Sequence, residues 1–260
     1  MNRIDQVFAK GRKVFIPYIT AGCPTVSSTL SIMNILVENG ADIIELGFPF
    51  SDPTADGPVI QAAAQHALNN RFERNDYFEI LTRFRENNKQ TPIVVFSYIN
   101  PIFHYGIEKF CNEARRAGAD AMLLVDLPFE EQDDVLPITN ALDLHLIQFA
   151  APTTNAIRLR KIVEKAAGFI YQISVRGVTG ARDDVARDAL SMSKLIKSLT
   201  KVPLAVGFGI STSDHVKSIL PNADGIIVGS AIVQLILENP ANYERSLAAK
   251  VHELSVAIHE

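Results

Sequence analysis

The stretch that decides the fold is Gly-Ala-Asp-Ile-Ile-Glu-Leu-Gly-Phe-Pro-Phe-Ser-Asp-Pro-Thr-Ala-Asp-Gly-Pro-Val-Ile-Gln, residues 40–61. Two isoleucines start a buried-strand pattern that ends just after Glu45, and the prolines and glycines that follow predict a loop. Pro58 then begins an alanine-rich helical pattern, with Asp56 close to its start. In proteins with parallel strands, substrates bind on the loops after the carboxyl ends of the strands. This strand-loop-helix unit therefore predicts an α/β protein with its site on this loop.

The same unit recurs along the whole chain. Eight short apolar runs are each followed by a turn and a helical pattern, and eight units in 260 residues give about 32 residues each, close to the roughly 30 of a strand with its crossover helix. Near-continuous apolar runs are typical of parallel strands that are buried on both faces. The repeat favours a closed (β/α)8 barrel over an open doubly wound sheet. The predicted strands are Val14–Thr20, Asp42–Leu46, Ile93–Ser97, Ala121–Val125, Leu144–Phe149, Phe169–Ile173, Leu204–Phe208 and Gly225–Val228.

The segments between these strands have helical patterns, and no linker or charge block divides the chain. Residues 1–260 are therefore predicted to form a single (β/α)8 TIM barrel domain. The amphipathic segment Ile4–Lys10 predicts an extra N-terminal helix that caps the bottom of the barrel. A weak internal repeat, Gly40–Asp42, Gly118–Asp120 and Asn222–Asp224, leads each time from a helix into a strand. The predicted helices are Ser27–Glu38, Tyr77–Asn87, Ile107–Ala117, Glu130–Asn140, Ala156–Ala167, Leu190–Thr200, Ser213–Leu220 and Tyr243–Ile258.

Composition and charge exclude several classes of function. The net charge is −4 and the pI is about 5.9, which argues against nucleic acid or an anionic membrane as the main partner. No run approaches the roughly 18 apolar residues of a membrane span, and the start of the chain lacks the apolar core of a signal peptide, so we expect a cytoplasmic protein. Cys23 and Cys111 form no C-x-x-C pair, and the six histidines lack metal-ligand spacing, so no metal site is predicted.

The carboxylates of residues 45–56 are the first candidates for chemistry. Glu45 is flanked by apolar residues, so burial is expected to raise its pKa and suit it to move protons near neutral pH. Asp52 and Asp56 lie on the loop beyond. The alternative is that Glu45 pairs with a buried Lys or Arg and that both aspartates cap turns. Because Ser-Asp-Pro initiates turns, Asp52 is the better candidate for a structural role.

Three glycine-rich stretches predict a phosphate site, namely Arg176–Ala181, Gly207–Ser211 and Gly229–Ala231. Glycines let the backbone approach an anion, and barrels often bind phosphate with the loops after strands seven and eight. Each stretch alone is also consistent with a tight turn, but three in these places favour phosphate. Tyr98 and Tyr171 are further candidates for hydrogen bonds to a substrate, although core roles are equally consistent. The residues thus predict a metal-free barrel that acts on a small phosphorylated substrate.

The segment Glu45–Pro58 closely resembles the signature of the tryptophan synthase α chain family, and the similarity continues from end to end. Further matching motifs are Pro17–Gly22, Val125–Pro128, Ala151–Thr154, Gly177–Gly180 and Val206–Ser211. The chain departs from the family pattern at Thr54, where leucine is common, at Tyr18, where phenylalanine is common, and at Cys23, where aspartate is frequent. These departures affect packing and partner contacts, and they leave both carboxylates in place.

The resemblance implies a retro-aldol cleavage of indole-3-glycerol phosphate to indole and glyceraldehyde 3-phosphate. Glu45 and Asp56 would be the catalytic carboxylates, with Glu45 acting first as acid and then as base while Asp56 accepts a hydrogen bond from the indole N–H. The family also implies Gly180, Gly209, Gly229 and Ser230 as phosphate ligands, Thr179 in a mobile loop over the site, and Tyr171 near Glu45. With Tyr98, these form the set of candidate substrate-binding residues.

The resemblance also implies a partner. In this family the α chain works with a β chain in an αββα heterotetramer, and the β chain holds pyridoxal phosphate and receives the indole through a tunnel. No cofactor is expected in this chain. The loop Ser51–Pro58 would then be both catalytic and interfacial, so that binding of the partner orders it and activates the site.

Three other interpretations remain at this point. Phosphoribosylanthranilate isomerase and indole-glycerol phosphate synthase are also phosphate-binding barrels, but they lack the signature from Glu45 to Asp56, and the synthase uses lysines on strands that are absent from the predicted strands here. A barrel with negligible activity that regulates a partner is a second interpretation, which the two retained carboxylates oppose. A stand-alone family member that releases free indole is the third.

Overall fold

Parallel strands alternate with helices in the computed structural model, which describes residues 1–173, 182–207 and 209–260. The strands form one row in the order β5-β4-β3-β2-β1-β9-β8-β7-β6, and every pair is parallel. They are β1 Val14–Thr20, β2 Ile44–Gly47, β3 Ile93–Ser97, β4 Ala121–Leu124, β5 His145–Leu146, β6 Gln148–Ala150, β7 Ile170–Ile173, β8 Leu204–Gly207 and β9 Gly225–Val228.

The row closes on itself through the predicted fifth strand, Leu144–Phe149. Its first part is β5, which pairs with β4, and its second part is β6, which pairs with β7. Ile147 alone separates the two parts, and its N–H donates to the carbonyl of Met122 on β4. The predicted (β/α)8 barrel is therefore confirmed. Phe208, the last residue of the seventh predicted strand, lies outside the described residues.

The helices surround the barrel, and most lie where the sequence predicts them. They are α1 Arg3–Phe8, α2 Val26–Glu38, α3 Pro58–Asn69, α4 Arg74–Asn87, α5 Ile99–Tyr105, α6 Ile107–Ala117, α7 Leu136–Ala141, α8 Ala156–Lys165, α9 Arg182–Leu199, α10 Ser213–Ile219, α11 Ser230–Glu238 and α12 Glu244–His259. The prediction of one helix over Glu130–Asn140 is wrong. A 3-10 turn at Phe129–Glu131 precedes α7, which starts late because Pro137 lacks an N–H and fits only a first turn. No helix in the described part of the chain is long and apolar enough to cross a membrane.

The N-terminal helix α1 covers the bottom of the barrel, as predicted. Its Ile4 and Val7 are buried and pack with the inward-facing side chains of the strands. Asn2 caps the helix by accepting from the N–H of Ile4, and its amide nitrogen donates to the carbonyls of Asp120 and Asp143, just before β4 and β5. The inward-facing side chains alternate along the strands. Among them are Val14, Ile16, Val94, Leu123, Phe169, Ala205 and Ile227.

The internal repeat of the sequence has a structural role at the bottom of the barrel. In each copy, the aspartate carboxylate accepts a hydrogen bond from the N–H of a residue at the base of the preceding strand, and the aspartate N–H donates to the carbonyl of that same residue. The pairs are Asp42 with Phe15, Asp120 with Ile93, and Asp224 with Leu204, and the carboxylate bond is 2.9 Å in all three. The repeat thus joins three pairs of neighbouring strands.

Candidate active site

Glu45 lies on β2 in the same inward alternation as Ile43, beside Tyr18 of β1 and Val94 of β3. Its side chain is fully buried, and within the described part of the chain its Oε1 has no hydrogen-bond partner and no Lys or Arg pairs with it. Burial raises the pKa of Glu45 to about 8. The described contacts therefore oppose the buried ion pair and favour a carboxyl that exchanges a proton near neutral pH.

Asp56 lies on the loop between β2 and α3, where two contacts hold it. The hydroxyl of Tyr98, which follows β3, donates to Oδ2 of Asp56 at 2.9 Å and accepts from the N–H of Ala55 at 3.0 Å. The side chain of Gln61 on α3 donates to the carbonyl of Asp56 at 2.9 Å. Helix α3 begins at Pro58 directly after this loop. Tyr98 therefore positions the Asp56 carboxylate from the neighbouring strand.

The two carboxyls have separate titration ranges. Burial raises the pKa of Asp56 to about 6, although the hydrogen bond from Tyr98 opposes that rise. The pKa of Glu45 is about 8. At neutral pH, Glu45 is thus mainly protonated and Asp56 mainly ionised. Two carboxyls whose environments separate their pKa values can serve as an acid and as an electrostatic partner in one reaction.

Aromatic side chains form the wall around the carboxyls. Tyr18 and Phe96 meet edge to face with ring centroids 4.9 Å apart, and Phe149 and Tyr171 lie 5.0 Å apart. Tyr171 is buried, and burial together with the charges of Glu45 and Asp56 raises its pKa well above the usual value. The wall therefore suits a flat apolar ring close to both carboxyls.

Two of the glycines predicted to bind phosphate, Gly209 and Gly229, lie on neighbouring loops. Gly209 follows β8 and has a φ of 70°, which favours glycine, and it is exposed. Gly229 and Ser230 follow β9, which pairs with β8, and Ser230 starts the nine-residue helix α11. The first N–H groups of a helix have no partner within the helix and attract anions. The two loops thus offer a site for phosphate at the carboxyl ends of the strands.

The described structure brings Asp56 and Tyr98 into contact, places Tyr171 near Glu45 and Asp56, and places Gly209, Gly229 and Ser230 on adjacent loops. Thr179 and Gly180 lie outside the described residues. The sequence interpretation missed Phe96 and Phe149 as wall residues, although both share the inward alternation of their strands. No group of three or more His, Cys, Asp and Glu side chains suited to a metal ion occurs among the residues described.

The family model and the similar proteins point to the same family. The family model described as "Tryptophan synthase alpha chain" matches residues 4–259. The tryptophan synthase alpha chain of Caldanaerobacter subterraneus subsp. tengcongensis is 41% identical over 265 residues, which cover 100% of this chain and 99% of that protein.

Solved structures agree with this family. Tryptophan synthase subunit alpha from Legionella pneumophila str. Paris matches with a TM-score of 0.91 and 37% identity, covering 99% of this chain and 98% of that one. A second match is a chain of the tryptophan synthase a2b2 complex from Pyrococcus furiosus, with a TM-score of 0.87 and 39% identity. That structure is described as showing the structural basis of mutual activation of the complex. That match covers 94% of this chain and 98% of the other.

Proposed function

The chain belongs to the tryptophan synthase alpha chain family, and on that premise we propose that it cleaves indole-3-glycerol phosphate to indole and glyceraldehyde 3-phosphate. The observation that carries the proposal is the pair of carboxyls with separated pKa values, about 8 for Glu45 and about 6 for Asp56, beside an aromatic wall. The protein is thus a carbon–carbon lyase.

Glu45 supplies the proton for the first step. The protonated Glu45 carboxyl delivers its proton to C3 of the indole ring, which places positive charge on the ring nitrogen. The ionised Asp56 accepts a hydrogen bond from the indole N–H and stabilises that charge. Because Tyr98 donates to Asp56 Oδ2 at 2.9 Å, the carboxylate is held in place before the substrate binds.

The second step breaks the carbon–carbon bond. The Glu45 carboxylate removes the proton from the glycerol hydroxyl next to the bond that breaks, and the oxygen electrons form the aldehyde C=O. The electron pair of the broken bond returns to the ring and restores indole. Glu45 ends protonated, as it began, so the cleavage needs no cofactor in this chain.

The proposed phosphate ligands are Gly180, Gly209, Gly229 and Ser230, and Thr179 is a further proposed substrate-binding residue. The exposed Gly209 with its positive φ and the N-terminus of α11 support this assignment. Tyr171 of the aromatic wall and Tyr98 beside Asp56 are the proposed residues for hydrogen bonds to the substrate. Residues 1–260 act as one barrel domain, since β1 near the start of the chain pairs with β9 near its end.

The partner is a tryptophan synthase β chain in an αββα heterotetramer. The Pyrococcus furiosus relative belongs to an a2b2 complex described in terms of mutual activation. The β chain holds the pyridoxal phosphate and converts the indole to L-tryptophan. We place the protein in the cytoplasm, a reducing compartment that agrees with two free and buried cysteines.

Indole release from indole-3-glycerol phosphate tests the proposal. Wild type, Glu45→Gln and Glu86→Gln are each assayed with and without a tryptophan synthase β chain; Glu86 is an exposed residue of α4 and gives a matched control. We expect slow release by wild type alone, faster release with the β chain, no release by Glu45→Gln, and normal release by Glu86→Gln. Absence of indole in both wild-type assays, or full activity of Glu45→Gln, would overturn the proposal.

A further inference from the structure

The three aspartates of the internal repeat differ in what covers them at the bottom of the barrel. The Asp120 side chain is 1% exposed and pairs with Arg3 at 2.7 Å and with Arg85 at 2.9 Å. The Asp42 side chain is 6% exposed and pairs with Arg12 and with His259 of α12. Helix α1 thus helps to cover Asp120, and helix α12 helps to cover Asp42.

The third aspartate, Asp224, is only partly covered. The Asp224 side chain is 33% exposed, and its Oδ1 accepts from the Lys197 ammonium at 2.6 Å. A cavity of about 410 Å³ lies beside it. We call this cavity the base cleft; its charged lining residues are Arg12, Lys13, Lys197, Lys201 and Asp224, and Phe8 contributes an apolar wall.

Positive charge exceeds negative charge in the base cleft. Four cationic side chains and one carboxylate line it, in a chain whose net charge is −4. Lys13 donates to the carbonyl of Ala223 at 2.5 Å, and Oδ2 of Asp224 is already occupied by the N–H of Leu204. Partial burial lowers the pKa of Lys13, the nearby Lys197 ammonium lowers it further, and Asp224 raises it. One carboxylate thus faces three ammonium groups, while Arg12 is paired with Asp42.

We propose that the base cleft binds a compact anion that carries more than one phosphate charge. Lysine ammonium groups bind phosphate as point charges, and Lys13, Lys197 and Lys201 bring three of them to one cleft. The volume admits a small ligand. The cleft lies at the amino ends of β1 and β8, whereas the proposed catalytic site lies at the carboxyl ends, so this inference goes beyond the proposed function.

Titration calorimetry with inorganic pyrophosphate at fixed ionic strength tests the proposal, using Lys201→Gln and Lys13→Met. Lys194→Gln is the matched control, because Lys194 is exposed on α9, one turn before Lys197, and does not line the cleft. We expect wild type and Lys194→Gln to bind equally. Each cleft variant should bind about fivefold more weakly, since each removes one charged contact worth about 1 kcal/mol. Lys201 is exposed, so its change keeps the test valid even if Lys13→Met does not fold.

Pyrophosphate can also enter the proposed phosphate site at the opposite end of the barrel, and indole release separates the two. Weaker pyrophosphate binding in both cleft variants, with unchanged KM and kcat for indole release, supports the base cleft. No binding by wild type at millimolar pyrophosphate, or equal binding by wild type and the cleft variants, overturns it. Failure of the proposed function would instead appear as absent indole release while the calorimetric difference remains.

Discussion

Asp120 and Ile93 hold each other through two hydrogen bonds at the bottom of the barrel. The N–H of Ile93 donates to Oδ2 of Asp120 at 2.9 Å, and the N–H of Asp120 donates back to the Ile93 carbonyl at 2.9 Å. The same carboxylate pairs with Arg85, which is itself buried and donates to three backbone carbonyls. One carboxylate therefore joins two strands and neutralises a buried guanidinium.

We expect Asp120→Asn to destabilise the protein strongly. The change leaves the buried Arg85 charge without its main partner, and breaking a buried pair in this way costs about 3 kcal/mol or more. Urea unfolding at pH 7 measures the loss. Asp224→Asn is the comparison, because Asp224 forms the same strand contact but is a third exposed, and we expect a loss of about 1 kcal/mol. Equal losses in the two variants would contradict this account.

The fold could be predicted from the sequence to a large extent because its signal is local and repeated. Apolar runs of strand length separated by helical patterns determined the barrel, and the repeat that contains Asp120 located the base of three strands. The double hydrogen bond between Asp120 and Ile93 could not be predicted, since it depends on the register between strands 27 residues apart. The late start of α7 depends on Pro137, which lacks an N–H and therefore fits only the first turn of the helix.

We expect Glu45→Gln to stabilise the folded chain while it abolishes the lyase activity. The pKa of Glu45 is about 8 in the folded state and about 4.3 in the unfolded state. Between these values the folded state binds more protons, so the free energy of unfolding of wild type falls as pH rises from about 4.3 to about 8. Deprotonation of the buried carboxyl therefore destabilises folded wild type by about 5 kcal/mol once pH is above both pKa values, and Glu45→Gln does not have this loss. Urea unfolding at pH 5 and pH 8.5 should show the stability difference between the two proteins growing with pH.

Glu86→Gln provides the control for this pH dependence. Glu86 is exposed on α4, so its change should leave the curve of stability against pH parallel to that of wild type. A constant difference between Glu45→Gln and wild type across this pH range would show that Glu45 has an ordinary pKa in the folded state.

We expect Tyr98→Phe to shift the pH dependence of the reaction. The hydroxyl of Tyr98 lowers the pKa of Asp56, so without it that pKa rises above about 6 and the ionised carboxylate is lost at higher pH. The acid limb of kcat/KM should move to higher pH, with activity about fivefold lower at pH 6 and a smaller loss at pH 8. Tyr105→Phe is the control, because Tyr105 donates to Glu113 on α6. An unchanged acid limb in Tyr98→Phe would contradict the assignment.

The candidate site could be predicted only in part. Glu45 and Asp56 were found because they lie on one strand and the loop that follows it. The contact of Tyr98 with Asp56 spans 42 residues and depends on how β2 and β3 are paired, so the sequence identified Tyr98 only as a candidate substrate contact. The position of the Tyr18 hydroxyl beside Gly47 likewise follows from the pairing of β1 with β2.

We expect Gly47→Ala to reduce indole release about tenfold by displacing Tyr18. A Cβ at position 47 would lie 2.1 Å from the Tyr18 hydroxyl oxygen and 2.6 Å from its Cζ, so the ring must move from its contact with Phe96. Tyr18→Phe in the same chain should not restore activity, because Cζ remains. Tyr18→Leu should restore part of it, because the shorter side chain removes both atoms. Measuring kcat/KM for the single and double variants gives the coupling between positions 47 and 18. Additive effects would show that the clash with Tyr18 does not cause the loss of activity in Gly47→Ala.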